Sequence, residues 1–215
     1  MREPAHKLYL LISAGLIMSG IIMGLIGRGQ IHLLLDMADS APLHFRALKT
    51  FTYQSNILLV IGFLVMLVLH KNTARHYISV AIMLATGLTG LVYNFLLVPF
   101  AQAPMPFFNF ENFSTHVLAM VLPLLNYLVF EDKGLLNRRH ILVGMIFPII
   151  YWAVFVTIGE RIDFVPYFFM NPGSVGWAMV FVWFGGLLAV FSGLGFLLVL
   201  YDKSRAVSLR RLHRE

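Results

Sequence analysis

Long apolar runs, broken by short polar or proline-rich stretches, set the pattern of this chain. Six runs cover roughly Leu8–Ile26, Phe45–Leu69, Tyr77–Phe100, Asn112–Phe130, Ile141–Ile158 and Gly176–Tyr201. Each is near or above the ~20 residues that a helix needs to cross a hydrocarbon core. The runs are continuous rather than alternating, which excludes membrane-spanning strands. The predicted fold is therefore all-α, a six-transmembrane-helix bundle forming one integral membrane domain over residues 1–215. Leu8–Ile26 is followed by no small-residue cleavage site and reads as a retained first span rather than a signal peptide.

Polar residues inside the runs fall on stripes. Thr52, Ser55 and Asn56 stand at i, i+3 and i+4, and Lys49 extends their stripe. Thr86, Thr89 and Tyr93 share a face of the third run, and Asn112, His116, Pro123 and Asn126 share one of the fourth. If spans two and four enter from outside and span three exits there, Thr52, His116, Asn94, Tyr151 and Trp152 all lie in the outer half of the membrane. A bundle that turns these stripes inward encloses a polar pocket just below that surface. Gly20 and Gly24 form a small-xxx-small pair suited to close helix packing.

Composition agrees with this reading. The chain is 59% hydrophobic and 12% charged, about half the charged fraction of a soluble domain. The net charge of +6 comes from basic residues flanking spans and gives no signal for nucleic acid. Arg2, Lys7, Lys71, Arg75, Lys133, Arg138, Arg139, Lys203, Arg205, Arg210, Arg211 and Arg214 fall on one side, and Arg28, Arg46, Lys49 and Arg161 on the other. The excess places both termini in the cytoplasm, with the protein a multi-pass component of the cell (inner) membrane. The outward segments include Ile31–Leu35, which reads as a flat interfacial helix, and two aromatic, proline-rich loops, Gln102–Asn112 and Gly159–Val175. Such loops suit an interfacial belt or the cover of a site.

Several chemistries are disfavoured. The chain has no cysteine, hence no disulfide, thiolate metal site or cysteine nucleophile. The Asp and Glu residues are read as lying in loops, termini or interfaces, which disfavours proton pumps, cation carriers and aspartyl intramembrane proteases. His-Glu-x-x-His is absent. His116 is read as the one histidine inside a span, so no metal or other cofactor is expected. What remains is a hydroxyl, Thr52, and an imidazole, His116, surrounded by amides. A neutral imidazole can take the threonine proton and return it to a leaving group. Asn56, Asn94 and Asn112 are candidate oxyanion donors, and Ser55, Tyr93 and Trp152 complete the expected substrate contacts. An amide, a tyrosine or Glu111 would have to orient the imidazole. The bland alternatives are a helix hydroxyl bonded to its own preceding turn and a histidine bonded to a neighbouring helix.

Phe51-Thr52-Tyr53-Gln54-Ser55-Asn56, Thr89-Gly90-Leu91-Val92-Tyr93-Asn94, His116 with Asn126, and Pro166-Tyr167-Phe168-Phe169-Met170-Asn171-Pro172 resemble the motifs of a group of bacterial six-span membrane proteins over nearly the whole chain. More distantly the chain is similar to the androgen-induced, FAR-type family of intramembrane threonine hydrolases. That resemblance implies cleavage of fatty acid esters of hydroxy fatty acids, with Thr52 as nucleophile and His116 as base. The family's proline follows its histidine by five residues, whereas Pro123 follows His116 by seven. The family's second histidine and the bacterial group's acid at Asn126 have no counterpart here.

The expectation is an intramembrane hydrolase of lipid or other acyl esters opening to the outer leaflet. The alternative is a non-enzymatic membrane protein that binds a lipid or small solute, and a transporter is a weaker third. Either of the first two takes a membrane lipid or acyl ester as partner, and a homo-oligomer is compatible with both.

Overall fold

A computed structural model describes residues 2–27, 48–69, 73–99, 109–162 and 164–212. The described residues are 87% helical without a strand, and six of their helices are long and apolar enough to cross a membrane. These are α1 (Arg2–Gly27), α2 (Phe51–Val68), α3 (Thr73–Leu97), α4 (Phe110–Phe130), α5 (Arg138–Ile158) and α6 (Trp177–Leu212). They fit a multi-pass membrane protein. The Ile31–Leu35 segment and most of the loop before α4 lie outside the described residues.

The helices run past the apolar runs where charged residues follow. α6 continues from Tyr201 to Leu212 through Asp-Lys-Ser-Arg, and α1 begins at Arg2. Hydropathy marks the stretch that lipid tolerates, whereas backbone hydrogen bonding carries a helix beyond it. Local chemistry sets the starts. Thr50 caps α2 by accepting from Tyr53 N. Asn137 caps α5 by accepting from Arg139 N, and His140 Nδ1 accepts in return from Asn137 N at 3.2 Å.

Two compact units divide the chain. One comprises Met1–Leu69 with Ala85–Asn126, the other His70–Leu84 with Tyr127–Glu215.

In the first unit α1 packs on α2 and on the start of α4. The contact works because α1 presents glycine. A Cβ at Gly20 would run into the Ser114 side chain, and one at Gly24 into Tyr53 Oη and the Glu111 carboxylate. The small-xxx-small pair thus packs against α4 and against a polar pair, Tyr53 Oη donating to Glu111 Oε1 at 2.9 Å. At the other end of α1, His6 Nε2 meets Asn126 Oδ1 at 2.8 Å and Tyr9 donates to Leu122 O at 2.6 Å.

In the second unit α5 lies on α3 and α6. Gly144 faces Leu84 and Ala81, and a Cβ at Gly195 would sit 2.8 Å from Ile141 Cγ2. The loop after α5 folds in as a short turn of helix, Phe168–Met170. Its Phe169 is buried among Trp152, Tyr167 and Trp183, with ring centroids 6.0, 5.2 and 5.6 Å away.

Candidate functional site

The first unit holds most of the polar residues singled out from the sequence. Asn56, on the second turn of α2, is fully buried. Its Nδ2 donates to Thr52 O at 2.7 Å and to Thr115 O at 3.0 Å. Both amide hydrogens are therefore committed to carbonyls, one on its own helix and one on α4. Flipping the amide would set Oδ1 against two carbonyl oxygens, so the orientation follows from the acceptors. The clamp joins the turn of Thr52 to the residue before His116. Ser55 lies beside it, its hydroxyl donating to Thr52 O at 3.0 Å and pairing with Thr89 Oγ1 at 2.8 Å.

Both facing helices loosen at this level. In α3 the segment Val92–Leu97 is π-helical, with Val98 N bonded to Tyr93 O five residues back. In α4 the segment Phe113–Leu118 is π-helical too, with Ala119 N bonded to Ser114 O. Each wide turn carries a predicted site residue, and the two meet: the Tyr93 and His116 rings stack at 3.5 Å between centroids, 7° from parallel. Gly90 allows the approach, since a Cβ there would lie 2.7 Å from His116 O. Such wide turns are rare in helices and frequent at functional sites.

Thr52 is half-buried. The hydroxyls of Thr89 and Thr115 bond back to Ala85 O at 3.1 Å and Glu111 O at 2.8 Å, as helical threonines commonly do. Among the described residues the Thr52 hydroxyl makes no such bond, and none joins it to His116. Asn94 Nδ2 donates to Gly90 O at 2.7 Å, which leaves one of its amide hydrogens for another acceptor. Asn112 is half-buried on the first turn of α4. With both its hydrogens committed, Asn56 is a clamp rather than an oxyanion donor. Trp152 belongs to the second unit, where it is buried beside Phe169 and Phe184.

Two sequence expectations need correction. His116 is not the sole histidine in a span: His6 lies in α1, His76 in α3 and His140 in α5. Nor do the carboxylates all lie outside the helices. Glu111 is buried in the first turn of α4, and Asp202 is fully buried within α6. The Glu111 carboxylate lies with Tyr53 in the slot at Gly24.

Sequence reasoning missed the polar cluster of the second unit altogether. Asp202 accepts from Tyr127 Oη at 2.5 Å, Gly134 N at 2.7 Å and Leu136 N at 2.8 Å. Glu131 is buried against Arg75, Nε to Oε1 at 2.9 Å. Lys133 Nζ lies over the Tyr127 ring at 4.4 Å, and burial pushes its ammonium below the ordinary value. These residues flank apolar runs, where a charge ordinarily reads as solvated. Their one sequence signal was the crowding of histidines, acids and bases near the start of α3 and around 131–140.

Among the described residues no three His, Asp or Glu side chains group as a metal site. Comparison with protein-family models, curated proteins and solved structures finds no match for this chain.

Proposed function

We propose that this protein is an intramembrane hydrolase of lipid esters, with Thr52 as nucleophile and His116 as general base. In this reading both termini are cytoplasmic, the protein resides in the cell (inner) membrane, and the site opens toward the outer leaflet. The observation that carries it is the uncommitted Thr52 hydroxyl on a turn that Asn56 clamps to the residue before His116. The π-helical turns under Tyr93 and His116 support it as well.

The chemistry runs as an acyl transfer. His116 takes the Thr52 proton as Oγ1 adds to the ester carbonyl, and the alcohol leaves with that proton. Water repeats the sequence on the acyl-threonine and releases the acid. The free amide hydrogen of Asn94 is the donor for the oxyanion. Tyr93 acts on the base rather than the substrate: its stacked ring fixes the plane of the imidazole. Catalytic hydrogen bonds often tighten only when substrate is bound, and in this mechanism the Thr52–His116 bond forms at that stage.

A fluorophosphonate probe on the purified full-length protein in lipid nanodiscs tests this. Thr52→Ala should abolish labelling of the 50–71 segment, and His116→Ala should slow it by about 100-fold or more. Unaltered labelling in both variants rejects the proposal. The absence of a Thr52–His116 hydrogen bond favours a second reading, a non-enzymatic pocket for a lipid headgroup. A co-purified lipid whose ester lies far from Thr52, with no turnover of acyl esters, would establish that reading instead.

A further inference from the structure

The second unit brings together three side chains that the proposed site does not use: Ser79, His76 and Glu131. His76 and Ser79 stand at i and i+3 on α3, near the helix start at Thr73. At that spacing two side chains share a face, with Cβ atoms about 5–6 Å apart. Glu131 follows the end of α4. Its Oε1 is held by Arg75 Nε at 2.9 Å, and its Oε2 lies 3.6 Å from His76 Nδ1. All four are at least nine-tenths buried.

Two polar atoms of this group are buried without a hydrogen-bond partner, Ser79 Oγ and His76 Nδ1. A buried polar group left so costs about 1–3 kcal/mol, and such groups call for an explanation. Ser79 does not follow the habit of helical hydroxyls, which is to bond the carbonyl one turn back. Ser192, Ser204 and Ser208 of the same unit all have acceptors. The polar surroundings of His76 are defined: Arg75 and Glu131 next to it, and His140, whose ring stacks on Tyr77 at 4.1 Å.

We infer that Ser79, His76 and Glu131 form a second nucleophilic site, directed at an acyl ester whose carbonyl reaches the start of α3. The roles rest on the i, i+3 placement of His76 and Ser79 and on the approach of Glu131 to Nδ1. Arg75 Nε holds one oxygen of Glu131, and the other lies 3.6 Å from His76 Nδ1. A proton held on Nδ1 toward that carboxylate leaves Nε2 as the acceptor, the tautomer a general base requires. His76 Nε2 takes the Ser79 proton as Oγ adds to the carbonyl carbon. Collapse breaks the bond to the alcohol, which departs with that proton, and water then hydrolyses the acyl-serine by the same exchange. Glu131 touches no reacting atom and is a positioning residue. Ser79 is 1% exposed, so the helix ends must part before a substrate enters, and reaction with a probe is slow.

The test is adduct mapping on the wild-type full chain in nanodiscs after long exposure to a fluorophosphonate. Trypsin separates the candidates, because Thr52 falls in the segment after Lys49 and Ser79 in the segment after Arg75. An adduct on Ser79, lost in Ser79→Ala and retained in Thr52→Ala, is the expected result. Glu131→Gln should then shift the pH profile of Ser79 labelling, which a structural role alone would not move. An adduct confined to Thr52 overturns this site and keeps the first. No adduct anywhere in the chain overturns both. An adduct on Ser79 that survives His76→Ala at an unchanged rate overturns the assigned base.

Discussion

The two units solve the same problem, polar groups in an apolar protein, with different chemistry. In the first the cluster is neutral: an amide, hydroxyls and carbonyls around Asn56, Ser55 and Thr89. In the second it is ionised, with Glu131 on Arg75 and Asp202 on Tyr127 and two loop amides. A neutral hydrogen bond can be buried at modest cost, whereas a buried charge must be paired and its remaining lone pairs satisfied. Position follows from this. The neutral network sits on turns inside the apolar runs, and the charged one lies where helices end and loop backbone supplies donors. The neutral cluster also keeps backbone irregularity nearby, in the π-helical turns that carry Tyr93 and His116.

Substitutions sharpen the contrast. Asp202→Ala removes the acceptor of three donors, two of them buried, so the second unit should lose about 3–5 kcal/mol. Thermal unfolding in detergent would report it, and a melting point unmoved by the change would mean the carboxylate is not the tie between α6 and the 131–137 loop. Asn56→Ala should cost less, about 1–3 kcal/mol, because what it strands are carbonyls with a second lone pair. In the proposed mechanism the clamp aligns Thr52 with His116, so the same variant should also slow labelling of Thr52, and a stability loss with full labelling would separate the clamp from the chemistry. Gly90→Ala forces a methyl toward His116 O and Met120 Sδ, an overpacking worth about 1–3 kcal/mol. Its signature is a disturbed Tyr93–His116 stack, readable as a changed tyrosine fluorescence or ring-proton shift. Gly193→Ala is the smallest, since nothing lies within 4 Å of the added methyl. A change within about 0.5 kcal/mol is expected. A larger loss would mean that this open face of α6 is covered in the membrane.

Much of the first unit was legible in the chain. Stripes at i, i+3 and i+4 placed Thr86, Thr89 and Tyr93 on a buried face, and all three are buried. Gly20 and Gly24 announced a close helix contact, and they make one. The stack of Tyr93 on His116 was not legible, because a π-helical turn shifts the register that a 3.6-residue period assumes. Nor was the role of Asn56, which depends on a carbonyl that any residue at 115 would supply.

The sequence alone determined the six apolar spans and which of their faces are polar. It could do so because lipid penalises every exposed polar group and so writes the spanning stretch directly into composition. Tertiary structure alone decided which flanking charges are solvated and which are buried. Arg75, Glu131 and Asp202 read like any helix-end charges until their partners are in place. A buried ion owes its tolerance to groups distant in the chain, and no local pattern records them.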